Sequence, residues 1–215
     1  MTSSSAEQLA RYVSSTLDFV LYETIDANYN HIGATVADAI LQANNNYKNN
    51  VKPRVNRILT RYPTSRTTSS VLNTLQSIPI EEFLNWQCND RASRFFLVLN
   101  LFAAEGIETE TDLRKWLSQE VNLPKLRAIR GIGPKTIDYF KILVGISTCA
   151  IDRHLLKFLE LAGLSHCSYT EAQSIINMTA DTMGVDRALL DHSIWQYMSK
   201  RSSASQSGGC HRKEA

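Results

Sequence analysis

The sequence LPKLRAIRGIGPKTIDYF occupies residues 123–140, and AIDRH follows at residues 150–154. Pro124 and Pro134 each suit the first position of a helix, because that position needs no N–H and proline already has a helical φ. The tripeptide GIG before the second proline allows a tight reversal of the chain. We therefore predict a short helix, a hairpin turn, a second helix and then an isolated aspartate.

The hairpin turn has two features that suit close contact with a phosphate group. Gly131 and Gly133 allow positive φ and place no Cβ beside Ile132, so another backbone can approach the turn. The first N–H groups of the second helix, together with its dipole, attract an anion without reading any base. The same residues also suit an ordinary helix–turn–helix corner, so both interpretations are open at this point.

Basic residues are concentrated around this turn, although the whole chain has a formal net charge of only +2. Residues 125–141 contain a single acid, Asp138, and five basic residues: Lys125, Arg127, Arg130, Lys135 and Lys141. Such a local excess of positive charge is typical of a nucleic-acid contact. We expect a local contact with DNA through these residues: Arg130, Gly131, Ile132, Gly133 and Lys141.

The hairpin and the isolated aspartate together resemble the motif of a known superfamily. The run IRGIGPKTID at residues 129–138, followed by IDRH at residues 151–154, resembles a helix-hairpin-helix with a Gly/Pro-rich loop and an aspartate. That motif defines the superfamily of endonuclease III, adenine glycosylase, 8-oxoguanine glycosylase and alkylpurine glycosylase. Weaker similarity extends over residues 32–200. The resemblance implies a two-lobed all-α fold with its active site in the cleft between the lobes.

The residue at the position of Lys135 distinguishes two groups within this superfamily: members that only cut the glycosidic bond, and members that also cut the DNA strand. Members that also cut the strand at the abasic site have their nucleophilic lysine two residues after the second hairpin glycine. By resemblance, Lys135 is therefore the catalytic nucleophile. The positive end of a helix dipole disfavours an ammonium group, and the free amine is the form that attacks C1′ of the sugar. Without the resemblance, Lys135 is more simply a solvated lysine that touches a phosphate.

Asp152 stands 17 residues after Lys135. A helix of 11 residues spans about 16 Å, and seven extended residues can return about 23 Å, so the chain is long enough to bring Asp152 back to Lys135. From the sequence alone, Asp152 is the N-cap of the following helix. By resemblance it is also the catalytic carboxylate, which stabilises the oxocarbenium character of the sugar as the base leaves.

The resemblance implies base-excision repair of double-stranded DNA that contains a damaged base or an abasic site. We predict a DNA glycosylase with abasic-site lyase activity, which removes a damaged base through a Schiff base on Lys135. An oxidised base is the first choice of substrate. Two alternatives stay open: a monofunctional alkylpurine glycosylase that uses water, and a non-catalytic helix-hairpin-helix protein that only holds DNA.

Apolar residues recur at helical spacing over most of the chain, which predicts an all-α fold. The first predicted helix covers residues 6–24 and the last covers residues 187–199. Residues 147–151 form the one short segment that alternates like a strand. Aromatic residues at helical spacing are expected in the core rather than in a base pocket: Trp86, Trp116, Tyr139, Phe140 and Trp195.

The domain organisation follows from the resemblance. Residues 1–31 are an N-terminal helical segment that packs with a C-terminal helical lobe of residues 146–201. Residues 32–145 form a helical barrel domain that includes the helix-hairpin-helix at residues 123–144. Residues 202–215 are rich in serine and glycine and are predicted to be a disordered tail.

Cofactors are not predicted from the cysteines or the histidines. The chain has four cysteines without Cys-x-x-Cys spacing: Cys88, Cys149, Cys167 and Cys210. This excludes the usual zinc pattern and the four-cysteine iron–sulfur cluster that is common in endonuclease III and adenine glycosylase. We therefore expect no metal site. By resemblance, a monovalent cation could bind carbonyls of the hairpin, such as those of Arg127, Ile129 and Ile132.

The sequence QANNNYK at residues 42–48 follows a predicted barrel helix. Three consecutive asparagines predict a helix stop and a turn, because asparagine competes for helical hydrogen bonds and tolerates left-handed backbone. By resemblance, this is also the loop that intercalates into DNA. Asn44 is our first choice for the amide wedge that fills the gap left by the flipped nucleotide.

The N-terminal residues MTSSS lack the basic and apolar pattern of a secretory signal. The longest apolar stretch, residues 95–104, is much shorter than the roughly 20 residues that a membrane span needs. We expect a monomer without a membrane partner, located in the cytoplasm with the nucleoid, or in the nucleus of a eukaryote.

Overall fold

The computed structural model describes residues 2–43, 45–87 and 89–207. Within these residues the chain forms α-helices, one π-helical turn at Tyr47–Val51 and one 3₁₀ turn at Glu120–Asn122, and it forms no strand. The predicted all-α class is therefore confirmed. The α-helices are α1 (Thr2–Ser15), α2 (Ile32–Leu41), α3 (Lys52–Arg61), α4 (Thr68–Thr74), α5 (Ile80–Leu84), α6 (Asn89–Ala104), α7 (Glu110–Leu117), α8 (Leu123–Arg127), α9 (Pro134–Leu143), α10 (Arg153–Leu161), α11 (Tyr169–Met183) and α12 (Arg187–Ser207).

The helices divide into two compact units. The terminal unit joins the N-terminal residues up to Ile25 with the residues from Ser147 onward, and the hairpin unit comprises Asp26–Ile146. The terminal unit therefore contains α1 and α10 to α12, and the hairpin unit contains α2 to α9. Each unit has a hydrophobic core of its own.

Helix α2 is the centre of the hairpin unit, because all ten of its residues are buried. Its sequence IGATVADAIL is rich in small side chains, which let α3, α4, α6 and α9 pack directly against it. Two of the aromatic residues predicted for the core, Trp116 and Phe140, are buried there. Tyr139 and Trp86 are half-buried at its edge. The contact of α9 with α2 holds the hairpin on this core.

The terminal unit brings the two ends of the chain together. Helix α1 packs along α11, and α12 packs against α10 and α11. Leu9 of α1, Phe158 of α10 and Ile194 of α12 are fully buried in the same core. The side chain of Gln8 donates a hydrogen bond to the carbonyl of Ala162 at 2.7 Å. This core therefore depends on contacts between residues that are far apart in sequence.

The helix predicted at residues 6–24 ends at Ser15, so its second half was wrong. Beyond Ser15 the chain follows the surface of the terminal unit. The ring of Phe19 lies 5.6 Å from the ring of Phe158 and 5.6 Å from that of Tyr197, measured between centroids. Long-range packing of this kind overrides a weak helical preference.

Residues 147–151, the short segment whose sequence alternates like a strand, form no strand, in keeping with the all-α class. Side chains take the place of a neighbouring strand in pairing the backbone of this segment. The N–H of Ala150 donates to Asp191 Oδ2 at 2.6 Å. The carbonyl of Cys149 accepts a hydrogen bond from Gln173 Nε2 at 2.9 Å. The two partners, Asp191 and Gln173, come from α12 and α11.

Helix α12 continues to Ser207, beyond its predicted end at residue 199 and into the segment predicted as a tail. Serine, alanine and glutamine cost at most a few tenths of a kcal/mol each in an exposed helix, so nothing in their chemistry stops it. Residues 208–215 lie outside the described part of the chain. None of the helices described is long and apolar enough to cross a membrane.

Candidate functional site

The hairpin between α8 and α9 reverses direction at Gly131, whose φ is +88°. This left-handed value favours glycine. Gly133 has a φ of −104° and a ψ of −177°, so its backbone is extended, and it is the N-cap of α9. The N–H of Ile132 donates to the carbonyl of Ile129 at 3.0 Å and tightens the turn. Helix, turn and helix are therefore present in the predicted order, with one of the two glycines at positive φ.

The two glycines differ in what surrounds them. Among the described residues, a Cβ added to Gly133 would meet no heavy atom within 4 Å. A Cβ added to Gly131 would collide with the guanidinium of Arg94. Ile132, between them, is buried in the core of the hairpin unit and anchors the turn. An approaching ligand would therefore meet open space at Gly133 and the Arg94 side chain at Gly131.

The N-cap residue of α9, Gly133, makes no side-chain cap hydrogen bond. Pro134 occupies the first position, as predicted. The carbonyl of Gly133 accepts the N–H of Ile137 at 3.2 Å. The N–H groups of a first helical turn have no acceptor within the helix, and their dipoles point towards an incoming anion.

Lys135 is the second residue of α9 and is half-buried. Its position in the first turn places it beside the same N–H groups. Arg130 is exposed, and its carbonyl accepts a hydrogen bond from Arg94 Nε at 2.8 Å. Arg94 was not among the predicted site residues, because it reaches the turn from α6, 36 positions earlier in the chain.

Lys141 and Lys125, both among the basic residues near the hairpin, each pair with an acid. Lys141 Nζ lies 3.3 Å from Asp138 Oδ1, and Lys125 Nζ lies 2.6 Å from Glu105 Oε2. The hydrogen bond from Lys125 lowers the pKa of Glu105. These pairs reduce the local excess of positive charge that the sequence predicted. A contact between Lys141 and DNA, which stays a prediction, would compete with Asp138.

Asp152 belongs to the terminal unit, where it is the N-cap of α10 and is half-buried. Its Oδ1 accepts hydrogen bonds from the N–H groups of His154 at 2.8 Å and Leu155 at 3.1 Å. The predicted capping role of Asp152 is therefore confirmed. Its catalytic role stays a prediction.

The asparagine run ends helix α2, as the sequence predicted. Helix α2 stops at Leu41, and Asn46 Oδ1 accepts the N–H of Asn49 at 2.9 Å to cap the π-helical turn. Asn45 Oδ1 accepts a hydrogen bond from Asn50 Nδ2 at 2.8 Å. Asn44, the predicted wedge, lies outside the described residues.

A buried carboxylate in the hairpin unit was not among the predicted residues. Asp38 lies in α2 with none of its surface exposed. Its oxygens accept hydrogen bonds from the hydroxyls of Tyr29 at 2.6 Å, Tyr139 at 3.1 Å and Tyr47 at 3.4 Å. Burial raises the pKa of Asp38 to about 7, although the three hydroxyls oppose that rise. The only sequence signal was an acid in the middle of an otherwise apolar helix.

Potential metal ligands do not cluster in the described part of the chain. It contains no group of three or more His, Cys, Asp or Glu side chains arranged to hold a metal ion. Cys149 is buried and Cys167 is half-buried, and neither forms a disulfide bond within the described residues. Cys88 and Cys210 lie outside the described residues. The predicted monovalent cation at the hairpin stays a prediction.

Comparison with known families places this chain in one of them. The chain belongs to the family described as a domain of unknown function, DUF8548, whose profile matches residues 90–199, just over half of the chain. Comparison with curated proteins gives no match. The matched range contains the hairpin, Lys135 and Asp152, whereas Asp38 and the asparagine run lie before it.

Proposed function

We propose that this protein is a DNA glycosylase with abasic-site lyase activity, built on the two-lobed helix-hairpin-helix fold that its sequence resembles. The observation that carries the proposal is the start of α9. Gly133 is open and supplies no side-chain cap, and it stands two residues before Lys135, which lies in the first turn of the helix. The N–H groups there would bind a DNA phosphate, and binding would bring the adjoining sugar towards Lys135.

In the proposed reaction, the uncharged amine of Lys135 attacks C1′ of the damaged nucleotide. The bond between C1′ and the base breaks, the base leaves with the electron pair, and a proton from solvent neutralises it. The nitrogen loses one proton, and the C1′–O4′ bond then breaks with its electron pair on O4′, which takes up a proton, so that a protonated Schiff base forms at C1′. The Schiff base acidifies C2′–H, and loss of that proton expels the 3′ phosphate by β-elimination. The strand is then nicked.

Asp152 is assigned the role of the carboxylate in this reaction. A negative charge near the sugar stabilises the positive charge that develops as the base leaves. The support for this assignment is the family resemblance of the IDRH segment, together with a half-buried carboxylate at the start of α10. Asp152 can hold both roles, because the start of a helix stabilises an anion.

Borohydride trapping on a duplex with one abasic site tests the role of Lys135. Borohydride reduces the Schiff base and leaves a covalent adduct of protein and DNA. We expect an adduct with the wild-type protein and none with Lys135→Gln. Lys115→Gln is the control, because it removes an exposed lysine of α7 for which no DNA contact is predicted, and it should keep the adduct. An adduct that survives Lys135→Gln would refute the assignment.

Asp152→Asn tests the carboxylate separately from the fold. Asparagine caps a helix about as well as aspartate, so the variant should remain folded while it loses the negative charge. We expect strand cleavage to fall strongly and binding to abasic DNA to remain. Unchanged cleavage would contradict the catalytic role. Base release without any trapped adduct would instead favour a monofunctional alkylpurine glycosylase, and binding alone would favour a non-catalytic DNA-binding protein.

The substrate is proposed as a class and not as a single base. Oxidised bases rank first, because the strand-cutting members of the superfamily that this sequence resembles mostly act on them. Alkylated purines rank second, and an abasic-site lyase with little glycosylase activity ranks third. A panel of duplexes, each with one lesion and assayed with and without alkali, tests this ranking. Nicking of an oxidised-base duplex without alkali supports it, and release of methylated purines alone reverses it.

A further inference from the structure

Helix α3 and the residues around it form a basic segment that the proposed function does not use. No aspartate or glutamate occurs between Asp38 and Glu81. The same interval contains six basic residues: Lys48, Lys52, Arg54, Arg57, Arg61 and Arg66. Helix α3 buries Val55 and Ile58 in the core, so its basic residues lie on the opposite, outer side.

Arg54 and Arg57 are held in place by backbone carbonyls. Arg54 donates from Nε to the carbonyl of Asn85 at 2.8 Å and from Nη1 to that of Asn50 at 2.6 Å. Arg57 Nη1 donates to the carbonyl of Glu82 at 2.9 Å. A carbonyl satisfies an N–H group but leaves the positive charge of the guanidinium in place. Both side chains are therefore oriented and still charged.

Two other cations of the same helix pair with acids. Lys52 Nζ lies 2.7 Å from Asp26 Oδ2, and Arg61 Nη2 lies 3.1 Å from Glu82 Oε1. Helix α3 thus carries two basic side chains that pair with acids, Lys52 and Arg61, and two that bond to backbone carbonyls, Arg54 and Arg57. Variants of the two pairs can therefore be compared for their effect on DNA binding.

Trp86 connects these arginines to the hairpin. The guanidinium carbons of Arg54 and Arg91 lie 4.7 Å and 4.8 Å from the centroid of the Trp86 ring. Contacts of this kind hold a planar guanidinium in a fixed orientation. Arg91 is on α6, and Arg94, three residues further along that helix, donates to the hairpin carbonyl of Arg130. The basic residues therefore continue from α3 through α6 to the turn.

We propose that Arg54, oriented by Trp86 and two carbonyls, and Arg57, oriented by the carbonyl of Glu82, form a second phosphate-binding surface for the DNA that the proposed function places at the hairpin. This inference rests on the proposed function. A guanidinium has five N–H donors, and the carbonyl bonds use only part of each set. The remaining donors suit phosphate oxygens, and such contacts position a duplex without reading its bases.

The salt dependence of DNA binding tests this surface. Each phosphate contact adds about 0.9 to the slope of log affinity against log salt concentration. Arg54→Gln/Arg57→Gln removes two such contacts, so we expect the slope to become shallower by about 1.8. Fluorescence anisotropy on a duplex with one abasic-site analogue measures the affinity at each salt concentration. Lys52→Gln/Arg61→Gln is the matched control. It removes the same charge from the same helix and should leave the slope nearly unchanged.

Arg54→Lys/Arg57→Lys separates phosphate binding from a purely structural role. Lysine keeps the charge but cannot reproduce the oriented guanidinium contacts. We expect this Lys variant to keep the salt-dependence slope of the wild type and to bind the DNA duplex severalfold more weakly. A purely structural role predicts that the Gln and Lys variants weaken binding alike and leave the slope unchanged, and that result would overturn the proposal.

Two different measurements test the two proposals: the salt-dependence slope tests the phosphate-binding surface, and borohydride trapping tests the catalytic role of Lys135. If Lys135 forms the trapped adduct but the Gln variant keeps the wild-type slope, the surface is refuted and the proposed function stands. If no adduct forms but the salt-dependence slope of the Gln variant is shallower by about 1.8, the surface is supported and the catalytic proposal fails.

Discussion

Helices α9 and α10 carry the two predicted catalytic residues, and they begin in opposite ways. At the start of α10, the carboxylate of Asp152 accepts two backbone N–H groups. At the start of α9, the N-cap residue is Gly133, which has no side chain to accept these groups. A helix start needs acceptors for its first N–H groups. Helix α10 therefore supplies its own acceptor, and α9 is the helix suited to take one from a bound phosphate.

The two helices also differ in what holds them in place. The cap of α10 lies within three residues of the groups that it binds. Helix α9 is held through Tyr139, whose hydroxyl donates to Asp38 Oδ1, 101 positions away in the chain. A local cap stabilises the end of one helix, whereas a buried carboxylate couples several elements. Variants of the two helices should therefore change different measured quantities.

The largest effect is expected from Asp38→Asn. Because burial raises the pKa of Asp38 to about 7, the folded protein holds a proton that the unfolded chain releases above about pH 4. Through this group, the free energy of unfolding falls as the pH rises from about 4 to about 7, by about 1.4 kcal/mol per pH unit at most. Asp38→Asn should remove this fall. Urea unfolding at about pH 5 and about pH 8 measures it.

The exposed acid Glu171 serves as the control for that measurement. Its hydrogen bonds with Ser168 lower its pKa, so it does not titrate in this range. Glu171→Gln should keep the pH dependence of the wild type between about pH 5 and about pH 8. The interpretation of Asp38 would be contradicted if Asp38→Asn and the wild type lost stability in parallel.

The next effect concerns the open start of α9. The φ of Gly133 suits any residue and its Cβ position is open, so Gly133→Val should fold normally. A branched side chain would block the approach of a phosphate, and we expect the affinity for an abasic duplex to fall about tenfold, or about 1.4 kcal/mol. Lys141→Ala should cost less, because that lysine already pairs with Asp138. Equal losses in the two variants would indicate that the hairpin is only structural.

The smallest effect concerns the start of α10. Asp152→Ala removes the cap and should lower the free energy of unfolding by about 1 kcal/mol. Asp152→Asn should change it by only a few tenths of a kcal/mol, since asparagine caps a helix about as well. Thermal unfolding of the two variants measures the difference. If both variants were equally stable, the two hydrogen bonds at Asp152 would contribute nothing to the fold.

The predicted features that the structure contains are mostly local. Proline at the first position of α9, the turn at Gly131 and the cap at Asp152 each depend on a few adjacent residues. The all-α class also follows from spacing that repeats along the chain. The helix predicted at residues 6–24 fails where Phe19 packs against distant aromatic rings.

Long-range contacts account for what the sequence did not reveal. Arg94 reaches the hairpin from α6, and three tyrosines from different segments meet Asp38 in the core. A motif records which residues are neighbours along the chain, and packing decides which residues are neighbours in space. The local amino-acid order therefore determined how α9 and α10 begin. The partners of Asp38 and Arg94 depend on how the helices pack, because a buried or oriented polar group can find its donor or acceptor in a segment far away in the chain.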